Sequence, residues 1–181
     1  MNIRGVDMSH KTGGYRMPRV TKTSSLATFG KGLTFNQPRN LLQCSACDEV
    51  QDAPGVYVLL TGDGTLFQYP VGRSPVLYIG QSVNLRRRLG DHSEWAKQAK
   101  SNRRRELYYP RYEYAERFGV KFVYLCTRGR VAAKKLEKIL LARFTNKFRG
   151  WPVGNSGGSW DHIGKVSSVR GLLRPRRGRG L

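Results

Sequence analysis

Apolar and polar positions along the chain fall into three strand-like runs and two helical ones. Pro54-Gly55 opens GVYVLLT, a β-branched and aromatic run closed by the turn Gly62-Asp63-Gly64. A second run, PVLYIG over 75–80, ends at a glycine, and a third, VKFVYLCT, covers 120–127. Between them, a helix starts at Ser82 or Asn84, either of which can cap it, and runs to about Lys100, with Leu85, Leu89, His92, Ala96 and Ala99 on one face. A second helix is predicted over about 131–148 from the spacing of Leu136, Leu140, Phe144 and Phe148, with Gly150 and Pro152 just beyond its end. Strand, strand, helix, strand, helix is the order of a small sheet with helices packed on it.

The ends have a different composition. Residues 1–45 carry seven basic residues (Arg4, Lys11, Arg16, Arg19, Lys22, Lys31 and Arg39) against one acid, Asp7, and no sustained apolar period. They read as a basic, largely flexible arm, ordered at most in its last third. A domain over 46–160 follows, and 161–181, ending RGLLRPRRGRGL, has the composition of a basic tail. The whole chain has 181 residues, the length of about one domain, and sets 33 Lys and Arg against 12 Asp and Glu, a net charge of +21. That excess seeks a polyanion, and nucleic acid is the first candidate. The longest unbroken apolar run, Val56 to Leu60, is far too short to span a membrane. Three cysteines build no disulfide framework, so a reducing, cytoplasmic compartment is expected, with the acid-poor leader leaving organelle targeting as the less favoured alternative.

Candidate chemistry gathers around the start of the first helix. YIGQSVNLRRRL places a tyrosine near a strand end, a glycine at the turn, and Arg86, Arg87 and Arg88 in the first helical turns, where unpaired N–H groups already favour a phosphate. Arg88 and His92 share a helix face, with Trp95 beside them. The bland alternative is a solvated basic face and a half-buried histidine. On the second helix Glu137 falls within the apolar side, where an ionised carboxylate is costly unless paired or bound to a metal. Its bland partner is Lys134, in an ordinary surface pair. An insert over 103–118 interleaves Tyr108, Tyr109, Tyr112, Tyr114 and Phe118 with arginines, including Arg103, Arg104, Arg105 and Arg111, a pattern suited to unpaired bases and phosphates or simply to covering the sheet. Cys44 and Cys47 have the spacing of half a zinc site without a matching second half.

Gly55-Val56-Tyr57 followed by Tyr78-Ile79-Gly80 resembles the paired signature of the GIY-YIG nucleases. The resemblance continues through Gln81, Ser82, Asn84, Leu85, Arg88 and Leu89, with Arg88 at the family's helix-borne arginine. His92 stands where several members have a histidine, Glu137 where the family carries its metal-binding glutamate, and Asn155 at the asparagine that follows. Residues 54–156 are covered. YIG alone is weak; the ordered set is strong. Valine replaces the isoleucine of the first signature, the link over 62–74 is long, and the insert lies outside the minimal pattern.

The resemblance implies an α/β fold, a small three-stranded antiparallel sheet flanked by helices, and metal-dependent hydrolysis of DNA phosphodiester bonds. Glu137 would hold one divalent cation, Mg²⁺ with Mn²⁺ as the alternative. Arg88 would bind the phosphate, and deprotonated Tyr57 would act as general base, with His92 accepting or relaying the proton. Tyr78 would orient phosphate or water, and Asn155 would fix the site by hydrogen bonding. Arg86, Arg87, Arg103, Arg104, Arg105, Tyr108, Tyr109 and Arg111 would contact DNA. Specificity would come from the arms and insert, as in a restriction-type enzyme, from a homodimer or partner chain, or would be low. The competing class is a non-catalytic basic nucleic-acid binder, for example one associated with the ribosome.

Overall fold

The computed structural model describes residues 29–100 and 110–155. Three seven-residue strands form its frame: β2 (Gly55–Thr61), β5 (Val76–Ser82) and β6 (Val120–Cys126). β2 is central, antiparallel to β5 on one side and β6 on the other, and all seven of its residues are buried. Helices on both faces explain why GVYVLLT reads as a continuous apolar run rather than an alternating one.

The sheet has a fourth member. β1 (Arg39–Asn40) adds antiparallel to the outer side of β6, giving the order β1-β6-β2-β5. Just before it, Asn36 Oδ1 accepts the Tyr124 N–H at 2.5 Å and the Asn36 N–H reaches the Tyr124 carbonyl. The three-stranded expectation therefore falls one short strand below the observed sheet. Two residues are too few to leave a period in the sequence, and the pairing is secured by Asn36 instead. Residues 29–45 are part of this packing, with Phe29 against Phe144 and Leu41 in the core. A second, two-stranded sheet, β3 (Phe67–Gln68) with β4 (Arg73–Ser74), occupies the long link between β2 and β5. Gly72 supplies the positive φ of its turn.

Among the described residues four helices flank the sheets: α1 (Cys44–Asp48), α2 (Leu85–Lys100), α3 (Pro110–Phe118) and α4 (Arg130–Phe148). The side chain of Asn84 caps α2 by accepting the Arg87 N–H at 2.9 Å. Two apolar clusters sit on opposite faces of the sheet. Val56, Val58 and Leu60 pack with Leu136, Leu140 and Phe144 of α4. Tyr57 and Leu59 pack with Leu85 and Leu89 of α2 and with Tyr112 and Ala115 of α3. An irregularity where β2 meets β5 puts Leu59 opposite Tyr78 but Leu60 opposite Val76. Tyr78, opposite Leu59, shares the face of Tyr57, and the extra residue, Leu77, sets Val76 on the face of Leu60. The result is a mixed α/β fold of two small antiparallel sheets flanked by helices.

Candidate active site

Strand pairing brings the two signature segments together. Tyr57 lies opposite Gly80 on β5, and Gly55 opposite Ser82. Both glycines are required by packing. A Cβ at Gly55 would stand 2.2 Å from the Leu125 carbonyl oxygen, and one at Gly80 would stand 2.6 Å from the ring of Tyr78. The bare backbone of Gly80 thus gives the Tyr57 ring its room.

Around the Tyr57 hydroxyl, α2 supplies two partners. His92 Nε2 is 2.7 Å away, and Arg88 Nε donates to the hydroxyl oxygen at 3.4 Å. Arg88 and His92 are one helical turn apart, so the face that packs on β2 and β5 delivers both. Trp95 extends that face; the Arg88 guanidinium lies over its ring at 5.3 Å. Burial alone would loosen the proton on Arg88, but Tyr57, with Tyr78 and Tyr112 beyond it, reverses the balance and raises its affinity. The cation is therefore permanent. Tyr78 completes the ring cluster, 6.0 Å from Tyr57 and 5.9 Å from His92 between centroids.

The other nitrogen of His92 has a partner from the insert. Nδ1 is 2.8 Å from the Tyr112 hydroxyl on α3. Tyr57, His92 and Tyr112 are 1%, 0% and 4% exposed, so these three polar groups are buried and satisfy one another. Of the two roles open to the insert aromatics, stacking on bases or covering the sheet, Tyr112 takes the second: it is buried against the sheet face that carries Tyr57. The spacing of Tyr112 and Ala115, one turn apart in PRYEYAERF, carried the signal of a buried helix face.

Glu137 and Asn155 meet the edge of β5, the side that no strand among the described residues covers. There the Asn155 side chain accepts the Ile79 N–H at 3.0 Å and donates to the Ile79 carbonyl at 2.8 Å. Gly154 N–H donates to the Leu77 carbonyl at 2.7 Å. The next edge N–H, that of Gln81, donates to the Glu137 carboxylate. The two residues therefore do for β5 what a fifth strand would do, and both are tied to the strand that carries Tyr78 and Gly80. Glu137 closes no ion pair with Lys134. Burial pushes its carboxyl up from 4.5 to about 7, against the opposing pull of the Gln81 N–H, Lys134 and Lys138.

The donor set suits one hard cation. Among the described residues no three His, Cys, Asp or Glu side chains converge. Mg²⁺ does not need that, because it keeps several waters and is held by one or two carboxylates together with substrate phosphates. Glu137 supplies the carboxylate. Gln81, whose backbone the same carboxylate grips, has a buried side-chain oxygen with no hydrogen-bond partner among the described residues. A half-buried acid that resists ionising and an unused neutral oxygen on its neighbour fit a cation that would satisfy both.

The remaining expected contacts divide. Arg86 and Arg87 are both exposed on α2, and Arg86 Nε donates to the Val50 carbonyl at 2.8 Å, tying α2 to the segment before β2. Arg103, Arg104, Arg105, Tyr108 and Tyr109, the stretch 1–28 and the tail 161–181 lie outside the described residues, as does the side chain of Arg111. Cys47 is packed in the core beside α2. Among the described residues no helix is long and apolar enough to cross a membrane.

Compared with known proteins, the chain matches no family model, no curated protein and no solved structure.

Proposed function

We propose that this chain is a GIY-YIG-type endonuclease that hydrolyses DNA phosphodiester bonds with one divalent cation, Mg²⁺ or Mn²⁺. The observation that carries the reading is the buried Tyr57 hydroxyl, held at 2.7 Å by a histidine and at 3.4 Å by an arginine. An ordinary phenol loses its proton only near pH 10, so a tyrosine serving as general base needs a proton acceptor and a cation at its oxygen. Tyr57 has both. A protein that only bound nucleic acid would gain nothing by burying these groups against one another, since affinity comes from exposed cations.

The residues divide the work. His92 accepts the Tyr57 proton and Arg88 stabilises the phenolate and, beyond it, the charge gathering on the phosphate. Tyr78, on the same sheet face, orients the phosphate or the attacking water. A bound cation, held by Glu137 with Gln81 next to it, would neutralise phosphate charge as the new bond forms. Asn155 keeps β5 in register. The +21 charge brings the polyanion to the protein, and Arg87 together with the cations of the insert and the two ends contacts the backbone. A cytoplasmic, nucleoid-associated site of action and assembly as a homodimer or with a partner chain follow from the same reading.

The test is incubation with supercoiled plasmid and Mg²⁺, alongside Glu137→Gln. Nicked and linear products from the parent, lost by several orders of magnitude in the variant while DNA binding persists, are the expected result. Binding without cleavage by the parent, across Mg²⁺ and Mn²⁺ and across duplex and branched DNA, would return the protein to the class of non-catalytic binders.

A further inference from the structure

The row Arg88, Tyr57, His92, Tyr112 has a direction. A guanidinium has donors and no acceptor, so Arg88 Nε can only donate to the Tyr57 oxygen. That oxygen, having accepted at one lone pair, is free to point its own proton along the 2.7 Å contact at His92 Nε2. With the Tyr57 proton on that contact, Nε2 is bare and the ring proton sits on Nδ1, facing the Tyr112 hydroxyl oxygen at 2.8 Å. Each group donates to the next. In the opposite tautomer Nε2–H would share the phenol oxygen with Arg88, and the lone pair of His92, then on Nδ1, would face Tyr112 instead of Tyr57.

We propose that Tyr112 is the positioning residue of the nuclease site: it accepts the Nδ1–H of His92 and so holds Nε2 bare toward Tyr57. The proposal rests on the nuclease reading for its catalytic meaning, and on geometry alone for the tautomer. When Tyr57 ionises, its O–H bond breaks, the electron pair stays on the phenolate oxygen, and the proton binds Nε2, leaving His92 with one proton on each nitrogen. Tyr112 faces the Nδ1 proton throughout and is neutral, so it orients the ring without adding a negative charge to the site. A carboxylate in its place would have introduced a buried anion beside the phosphate's path. Through this residue, the insert helix α3 is a wall of the site as well as a cover for the sheet: Tyr112 also packs edge-on against Trp95 at 5.9 Å.

Two measurements on the full chain test this. Imidazole ¹⁵N shifts of the DNA-free protein, with the His92 signals identified by their loss in His92→Gln, should show Nδ1 protonated and Nε2 bare, and Tyr112→Phe should abolish that preference. Nε2–H in the parent protein overturns the proposal, and this arm needs no cleavage activity. In plasmid cleavage, Tyr112→Phe should lower kcat by roughly 10–100-fold with KM unchanged, the loss typical when the partner orienting a functional histidine is removed. The same change made in His92→Gln should cost nothing further. An equal loss in both backgrounds would mean that Tyr112 only holds α3 in place, and would also overturn it. Failure of the parent to cleave any DNA counts against the nuclease reading, while the tautomer measurement still decides the role of Tyr112.

Discussion

The Tyr57 ring stands over Gly80 so closely that a Cβ there would lie 2.7 Å from the tyrosine's hydroxyl oxygen. The two residues are register partners on β2 and β5, so neither can move without shifting a strand. In Gly80→Ala the added methyl must push the Tyr57 hydroxyl away from His92 and Arg88, or push the Tyr78 ring aside. Overpacking of this kind costs about 1–3 kcal/mol. Cleavage should fall much further than stability, because the displaced atom is the proposed base. A variant that melts normally and cleaves at the parent rate would show that the hydroxyl's position is not used.

Asn155 offers a second, separable perturbation. Its side chain satisfies both backbone groups of Ile79 on the uncovered edge of β5. Asn155→Ala leaves a donor and an acceptor at that edge without a partner, at a cost of about 1–3 kcal/mol if water cannot replace it. Asn155→Asp keeps the acceptor for the Ile79 N–H but sets an anion against the Ile79 carbonyl. Thermal melting should therefore rank both variants below the parent, and hydrogen exchange should quicken at Ile79 before the rest of the sheet. Uniform protection at Ile79 in Asn155→Ala would contradict the edge role.

Much of this was readable in the chain because each long strand is a β-branched or aromatic run bounded by turn residues, and α4 presents a full apolar stripe. Arg88 and His92 one turn apart, and Glu137 misplaced on an apolar side, were visible for the same periodic reasons. What the sequence could not display was pairing between distant segments. β1 is two residues long, and its anchor Asn36 looks like any loop asparagine until Tyr124 is beside it. Tyr112 sits in an aromatic-basic insert whose composition suits stacking, and only the fold reveals that its hydroxyl is spent on a histidine 20 residues earlier. Arg86 likewise counts as one of three equivalent arginines until the Val50 carbonyl singles it out.

Placement of Phe29 sharpens where the N-terminal arm can be cut. Removing residues 1–28 deletes five basic residues, Arg4, Lys11, Arg16, Arg19 and Lys22, and none of the described core. Extending the cut to residue 40 also removes Phe29, 1% exposed, and the Asn36 and β1 pairing to β6. The shorter deletion should leave the melting temperature in place and flatten the dependence of log K on log[salt], by about 0.9 per lost phosphate contact. The longer one should destabilise, the loss of a buried Phe alone costing roughly 3–5 kcal/mol. Equal melting of the two deletions would refute the structural role of 29–40, and an unchanged salt slope would show that 1–28 does not touch DNA.

Glu137 gives a pH dependence whose sign separates two accounts of the same residue. Burial raises its carboxyl from 4.5 to about 7, so the folded protein keeps a proton that the unfolded chain releases near 4.5. Below that value both states are neutral there and the residue costs nothing. As pH rises from about 4.5 to 7 the folded state is progressively penalised, and above 7 it carries the whole cost of an ionised, half-buried carboxylate. Each pH unit of displacement corresponds to about 1.4 kcal/mol. With some allowance for solvent reaching the group, Glu137→Gln should stabilise the protein by about 1–3 kcal/mol near pH 8 and leave it unchanged near pH 4.5. Mg²⁺ should stabilise the parent near pH 8, where the carboxylate is ionised, and have no such effect on the variant. A surface pair with Lys134 predicts the opposite sign, a loss of about 0–1 kcal/mol on removing the charge. Melting curves of parent and variant at the two pH values, with and without Mg²⁺, read out the difference directly. A glutamine variant that is less stable near pH 8 would discard the buried-acid account, and an absent Mg²⁺ effect would leave the cation without its ligand.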